Sequence, residues 1–189
     1  MTGRTAAAEY RETAAGFTAL VVGAAPDAWD RPAPVEGWFA RDVVRHLVEW
    51  FPTFLEGGAG ITLPAGPSVD DDPVAAWRAF SDGVQALLDD PASESRMLSN
   101  PHIGDVPVPA AVSQFFTADV FMHTWDLARA TGQDETLDAE RCAAMLAGME
   151  AYDEVLRSSG QYGPKIAVPD DSDPQTKLLA FIGRDPRPR

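Results

Sequence analysis

Pro109-Ala-Ala-Val112-Ser-Gln-Phe115-Phe116-Thr-Ala-Asp119-Val120-Phe121-Met122-His123-Thr-Trp125-Asp126-Leu-Ala-Arg129-Ala-Thr131-Gly132 reads as one amphipathic helix, and its irregularities decide the fold. Gly132 closes it, and Arg129 sits in the last turn, where a cation suits the helix dipole. The inward stripe runs Val112, Phe115 or Phe116, Asp119, Met122 or His123, and Asp126. Asp119 and His123 are one turn apart and therefore share a face, among Phe116, Val120 and Phe121. An unpartnered carboxylate costs several kcal/mol to bury, so a core that keeps two polar groups on one helix must supply them with a partner.

Outward from this helix the chain repeats the helical period. A second helix is expected from Phe39 to Leu55, stopped by Gly57-Gly58, with Phe39, Val43, His46, Trp50 and Phe54 as its stripe. His46 is thus a third polar interruption, on another helix. A first helix from Thr5 to Gly23 carries Tyr10, Ala14, Phe17 and Val21. A third begins at Asp72-Pro73, ends before Pro91, and shows Val74, Trp77, Val84 and Leu87 or Leu88. Residues 92–108 read as an irregular excursion or a short hairpin. A fifth helix is expected from Leu137 to Arg157, with Cys142, Met145, Met149 and Tyr152 along one side. Ser158 to Pro174 reads as a surface loop, followed by a short helix from Gln175 to Ile182 and a frayed tail from Asp185 to Arg189. With strand-like alternation almost absent, the fold class is all-α: a four-helix bundle with an extra C-terminal helix or helices. The expected organisation is a metal-binding bundle over residues 1–157, with residues 158–189 packing on the same domain.

Charge and composition narrow the function classes. Lys and Arg number 15 against 29 Asp and Glu, for a net charge of -14. That excess argues against sequence-independent nucleic-acid binding and against an anionic membrane surface, both of which need cations. Cys142 is alone, so no intramolecular disulfide and no cysteine-rich zinc cage can form. Charges at Arg4, Glu9, Arg11 and Glu12 interrupt the opening segment, and Thr13 to Pro26 is too short to span a bilayer. A cytoplasmic location is expected.

His46, Asp119 and His123 are candidate ligands of a divalent metal: two imidazoles and one carboxylate make half a coordination sphere and leave positions for water or substrate. A plain ion pair between Asp119 and His123, with His46 a hydrogen-bonded core residue, remains the bland alternative. Asp42, one turn before His46, and Asp126, three residues after His123, are candidates to hold the second imidazole nitrogens. Trp50, Trp125 and His102 are candidate pocket residues together with Trp38, although tryptophans on core stripes usually just pack and His102 lies in the irregular segment. Cys142 reads as a packed, inert thiol, and Asp70-Asp71-Asp72 as a helix cap rather than a calcium site. No P-loop, nucleotide-binding glycine fingerprint or G-x-S-x-G elbow occurs.

Gly37-Trp38-Phe39-Ala40-Arg41-Asp42-Val43-Val44-Arg45-His46-Leu47, Asp119 through Gly132, and the closing segments Val168 to Pro174 and Leu178 to Asp185 together resemble the DinB-like superfamily. Within it the chain is similar to actinobacterial proteins related to the metal-binding domain of mycothiol-dependent maleylpyruvate isomerase. The resemblance implies a four-helix bundle with zinc, or alternatively nickel, on His46, Asp119 and His123, and a low-molecular-weight thiol activated by the metal. Three departures stand out. Asp119 occupies the place of a glutamate, Phe39 that of a capping Ser or Thr, and 189 residues hold no second, sterol-carrier-like domain.

The expected function is therefore divalent-metal binding in the service of a mycothiol-type transferase or isomerase. The alternative is a non-catalytic metal- or small-molecule-binding protein. A third option, metal-activated water attacking an ester or amide, needs a general base from among Asp42, Glu49 and Asp126. The expected partner is a small-molecule thiol or substrate, and a homodimer is left open.

Overall fold

The structure, a computed structural model, describes residues 4–158, 160 and 162–187. It is all-α apart from one small hairpin. Helix α1 (Ala6–Gly23) starts at Thr5, whose hydroxyl accepts from the backbone N–H of Ala8, and it buries Tyr10, Ala14, Phe17 and Val21, the expected stripe. Helix α3 (Pro73–Asp89) starts at Asp72, whose carboxylate accepts from the Ala75 N–H, with Pro73 at the first helical position, where its missing donor costs nothing. Phe17 and Trp77 meet across α1 and α3 with ring centroids 4.5 Å apart, and Trp77 Nε1 donates to the Thr18 hydroxyl at 2.8 Å. Tyr10 donates to Ser81 Oγ at 3.0 Å, so each large amphipathic ring in this seam has a partner for its polar end.

Helix α2 (Ala40–Ala59) starts at Phe39 as its cap, as expected, and corrects the sequence reading at its C-terminal end and along its face. Its buried ridge is Val43, Val44, Leu47, Phe51 and Leu55; Phe39 is 46% exposed, and His46, Trp50 and Phe54 form the half-buried row beside the ridge. The helix continues through Gly57-Gly58 to a left-handed Gly60. The reason for Gly58 is packing: a Cβ there would lie 2.8 Å from Leu98 Cγ. Leu98 belongs to β1 (Met97–Asn100), which pairs antiparallel with β2 (Gly104–Pro107) in the register Met97↔Pro107 to Asn100↔Gly104, giving the hairpin form of the irregular segment.

The stretch expected as one helix from Pro109 to Thr131 is three consecutive pieces. Helix α4 (Val108–Ala111) passes into a π-helical turn, Val112–Thr117, and then into α5 (Ala118–Thr131), which ends on a left-handed Gly132. In this unit α1 and α2 each pack against both α3 and α5, so the four long elements close a bundle around one core. Helix α6 (Ala139–Glu150) stops short of the expected Arg157, and α7 (Asp153–Ser158) follows after a break. Of the expected stripe Cys142 is buried, whereas Tyr152, located in the break, is 64% exposed. Helix α8 (Pro174–Phe181) is capped by Asp173 and packs against α6.

The chain forms two compact units, Met1–Ala33 with Gly37–Asp134, and Pro34–Glu36 with Glu135–Arg189. Helix α6 belongs to the second of these units, with the C-terminal segment. The expected tail extends to Pro188 and Arg189, which lie outside the described residues, as do Met1 to Gly3 of the opening segment. Among the described residues no helix is long and apolar enough to cross a membrane.

Candidate metal centre

Two helices bring the polar interruptions together. His46 comes from α2, and Asp119 and His123 come from successive turns of α5. One ligand atom from each lies within 4.8 Å of the others, a donor set of the kind that holds a metal ion. His46 Nε2 is 3.0 Å from Asp119 Oδ2, and His123 Nε2 is 3.5 Å from Asp119 Oδ1. The two imidazole centroids are 4.8 Å apart. Exposure grades across the site, from 31% at the His46 side chain through 18% at Asp119 to 7% at His123, so it opens on the His46 side.

His123 is oriented from behind. Its Nδ1 lies 2.8 Å from Oδ2 of Asp126, whose side chain has 0% exposure. A carboxylate accepts, so Nδ1 carries a hydrogen, and in the neutral imidazole Nε2 turns its lone pair toward Asp119. Two electron-pair donors then face each other across 3.5 Å, an arrangement that calls for an electron-pair acceptor, a proton or a metal cation, between them. This is the observation by which the residues fit a divalent ion: imidazole nitrogens and a carboxylate oxygen suit borderline cations, and a carboxylate behind the histidine is the usual support of such a ligand.

His46 is held differently. Among the described residues nothing bonds its Nδ1; instead Trp38, just before α2, has its ring centroid 5.2 Å away, and Trp50, one turn on, stacks at 6.1 Å. Trp38 also stacks on His123 at 5.8 Å, so one indole touches both imidazoles. Trp50 does more than line a wall: its Nε1 donates to Asp119 Oδ2 at 2.9 Å. Behind it, Phe51 and Phe116 stack at 4.4 Å to form an apolar floor.

Other candidates are engaged elsewhere. Asp42 does not support His46: its Oδ2 accepts from the Phe39 N–H at 2.9 Å, and its Oδ1 accepts from Arg45 Nε at 3.2 Å. The cause is the helix start: Phe39 has no side-chain acceptor, and the carboxylate three residues on supplies half of a capping box in its place. Trp125 is buried with the Arg129 guanidinium 4.2 Å from its ring centroid, and makes no ring contact with the triad. His102 is exposed in the hairpin turn, where its backbone N–H donates to Asn100 Oδ1. Glu49 is exposed beside Arg45. The hydrogen-bonding role of Trp50 was missed by the sequence reading, and its only signal was the four-residue spacing from His46.

No solved structure matches the chain. Uncharacterized proteins from two strains of Mycobacterium tuberculosis are each 30% identical to it over 173 residues, covering 90% of this chain and 93% of theirs. The model of the mycothiol maleylpyruvate isomerase N-terminal domain matches residues 10–128, a span that contains His46, Asp119 and His123. The chain belongs to the family of the mycothiol maleylpyruvate isomerase N-terminal domain.

Proposed function

We propose that the chain is a divalent-metal-binding protein, with zinc as the metal and nickel as the alternative, that acts as a thiol-dependent transferase or isomerase using mycothiol or a similar low-molecular-weight thiol. The observation that carries this reading is the convergence of His46, Asp119 and His123 within 4.8 Å inside an otherwise apolar bundle. When bound there, the cation supplies Lewis acidity that lowers the pKa of a thiol brought to it, so that thiolate is available at neutral pH. Asp126 fixes the His123 tautomer, Trp38 and Trp50 hold the imidazole planes, and the Phe51–Phe116 floor keeps water from the inner side. The thiol and its substrate enter on the His46 side, the more exposed edge. The proposed setting is cytoplasmic, with small-molecule partners.

The test is elemental analysis of protein purified without a histidine tag, followed by calorimetry with the thiol. Stoichiometric zinc or nickel, thiol binding that needs the metal, and an intense thiolate charge-transfer band on cobalt substitution support the reading. Metal-loaded protein that neither binds thiol nor develops that band overturns it. A second reading is a non-catalytic metal- or small-molecule-binding protein, favoured by the engagement of Asp42 and Glu49 with Arg45, which takes both carboxylates away from a role as general base. That reading predicts metal uptake without any thiol response.

A further inference from the structure

Asp119 Oδ2 receives two close contacts, His46 Nε2 at 3.0 Å and Trp50 Nε1 at 2.9 Å. An indole N–H can only donate, so the Trp50 bond has one possible direction. The indole is packed, with ring centroids of Phe51 at 5.2 Å, Phe54 at 5.8 Å and Phe116 at 6.2 Å. Asp119 is 18% exposed, so little water competes for the bond. Trp50 and His46 are consecutive members of one row on α2, which therefore supplies both a candidate ligand and a clamp on the candidate ligand from α5.

We infer that Trp50 is a positioning residue of the proposed metal centre, its N–H tying Oδ2 so that the Asp119 carboxylate offers a cation one oxygen rather than two. This rests on the metal reading above and adds selectivity to it. A carboxylate restricted to one oxygen, beside two imidazoles, suits small borderline cations. Calcium and manganese, which favour more oxygen donors, lose the bidentate mode. The short aspartate side chain has one torsion fewer than glutamate with which to escape the constraint.

Cobalt(II) and manganese(II) titrations of untagged wild-type protein and of Trp50→Phe, alongside indole ¹⁵N–¹H spectra, test this. Trp50→Phe is expected to weaken cobalt binding about 10- to 100-fold, the usual effect of removing a group that orients a ligand, and to narrow the preference for cobalt over manganese. In wild type the indole signal that Trp50→Phe removes is expected to exchange slowly and to shift on zinc addition. Should the variant fail to fold, the Trp50 indole signal assigned in wild type by sequential triple-resonance spectra decides alone: a signal that exchanges freely and ignores zinc overturns the inference. Cobalt affinity unchanged within about twofold, well below the effect expected of an orienting group, overturns the role of Trp50 while leaving the metal reading intact. Wild-type protein that binds no cobalt overturns both.

Discussion

Asp126 is a carboxylate with no solvent exposure, 2.8 Å from His123 Nδ1. A hydrogen bond made by a charged acceptor in the interior is worth about 1.5–3 kcal/mol. Asp126→Asn keeps the shape but lets the amide donate or accept, and so releases the tautomer of His123. It is expected to lower the urea midpoint and to weaken cobalt binding about 10-fold or more, both read from titrations of the same sample. The thiol of Cys142 poses the opposite case. Burial, helped by the charge of Asp138, pushes it up to about 11 from 9.0. The neutral thiol is favoured in the fold, so its contribution to stability is intact below pH 9 and is lost as pH rises toward 11. Native protein at pH 8 is expected to react slowly with an aromatic disulfide reagent and quickly once unfolded; equal rates would contradict the burial.

At the scale of elements, the π-helical turn Val112–Thr117 sets the phase between the start of the helix and Asp119. Such turns amount to a single inserted residue. The turn is not free: Thr117 Oγ1 is buried with no hydrogen-bond partner among the described residues. The turn absorbs the inserted residue, so deleting the exposed Gln114 would restore α-helical register and leave α5 in phase, whereas inserting one more residue after Gln114 would rotate α5 relative to α4 by about 100°, one residue's share of a 3.6-residue turn. With Val108, Ala111 and Val112 in the core, the insertion carries Asp119 out of the triad. Expected are a near-unchanged helical circular dichroism signal in both variants, with cobalt binding lost on insertion and retained on deletion. Gly58→Val tests the α2–hairpin contact: a Cβ 2.8 Å from Leu98 Cγ and 3.2 Å from the Ser99 carbonyl has no room. Overpacking of this kind costs about 1–3 kcal/mol, to be read as a lowered midpoint.

For the whole molecule, metal and folding are linked because the three donors come together only in the folded state. Ligand at about 100 times its dissociation constant stabilises a protein by about 2.7 kcal/mol. Zinc added to chelator-treated protein is therefore expected to raise the melting temperature, and His46→Ala is expected to abolish that rise. The size of the change in metal-free His46→Ala separates two roles. A small change fits a ligand 31% exposed at the edge of the site, and a collapse of stability would mean that the imidazole is a core residue.

Periodicity in the chain determined the helices of the bundle and the stripe of α1, because 3.6-residue spacing of apolar groups admits few other burials. It also singled out His46, Asp119 and His123, since charge in an apolar stripe demands a partner wherever that partner lies. Tertiary packing decided the rest. Which row of α2 faces inward depended on the neighbouring helices, and it moved His46 and Trp50 from the core to the rim, where a ligand can reach them. Phe39, lacking an acceptor, diverted Asp42 to the helix start. The bond from Trp50 to Asp119 joins residues 69 positions apart, and the π-helical turn is a matter of one hydrogen-bond register. Apolar spacing specifies neither one: the bond forms only when α2 and α5 lie side by side, and the turn keeps the helical pattern on either side of it.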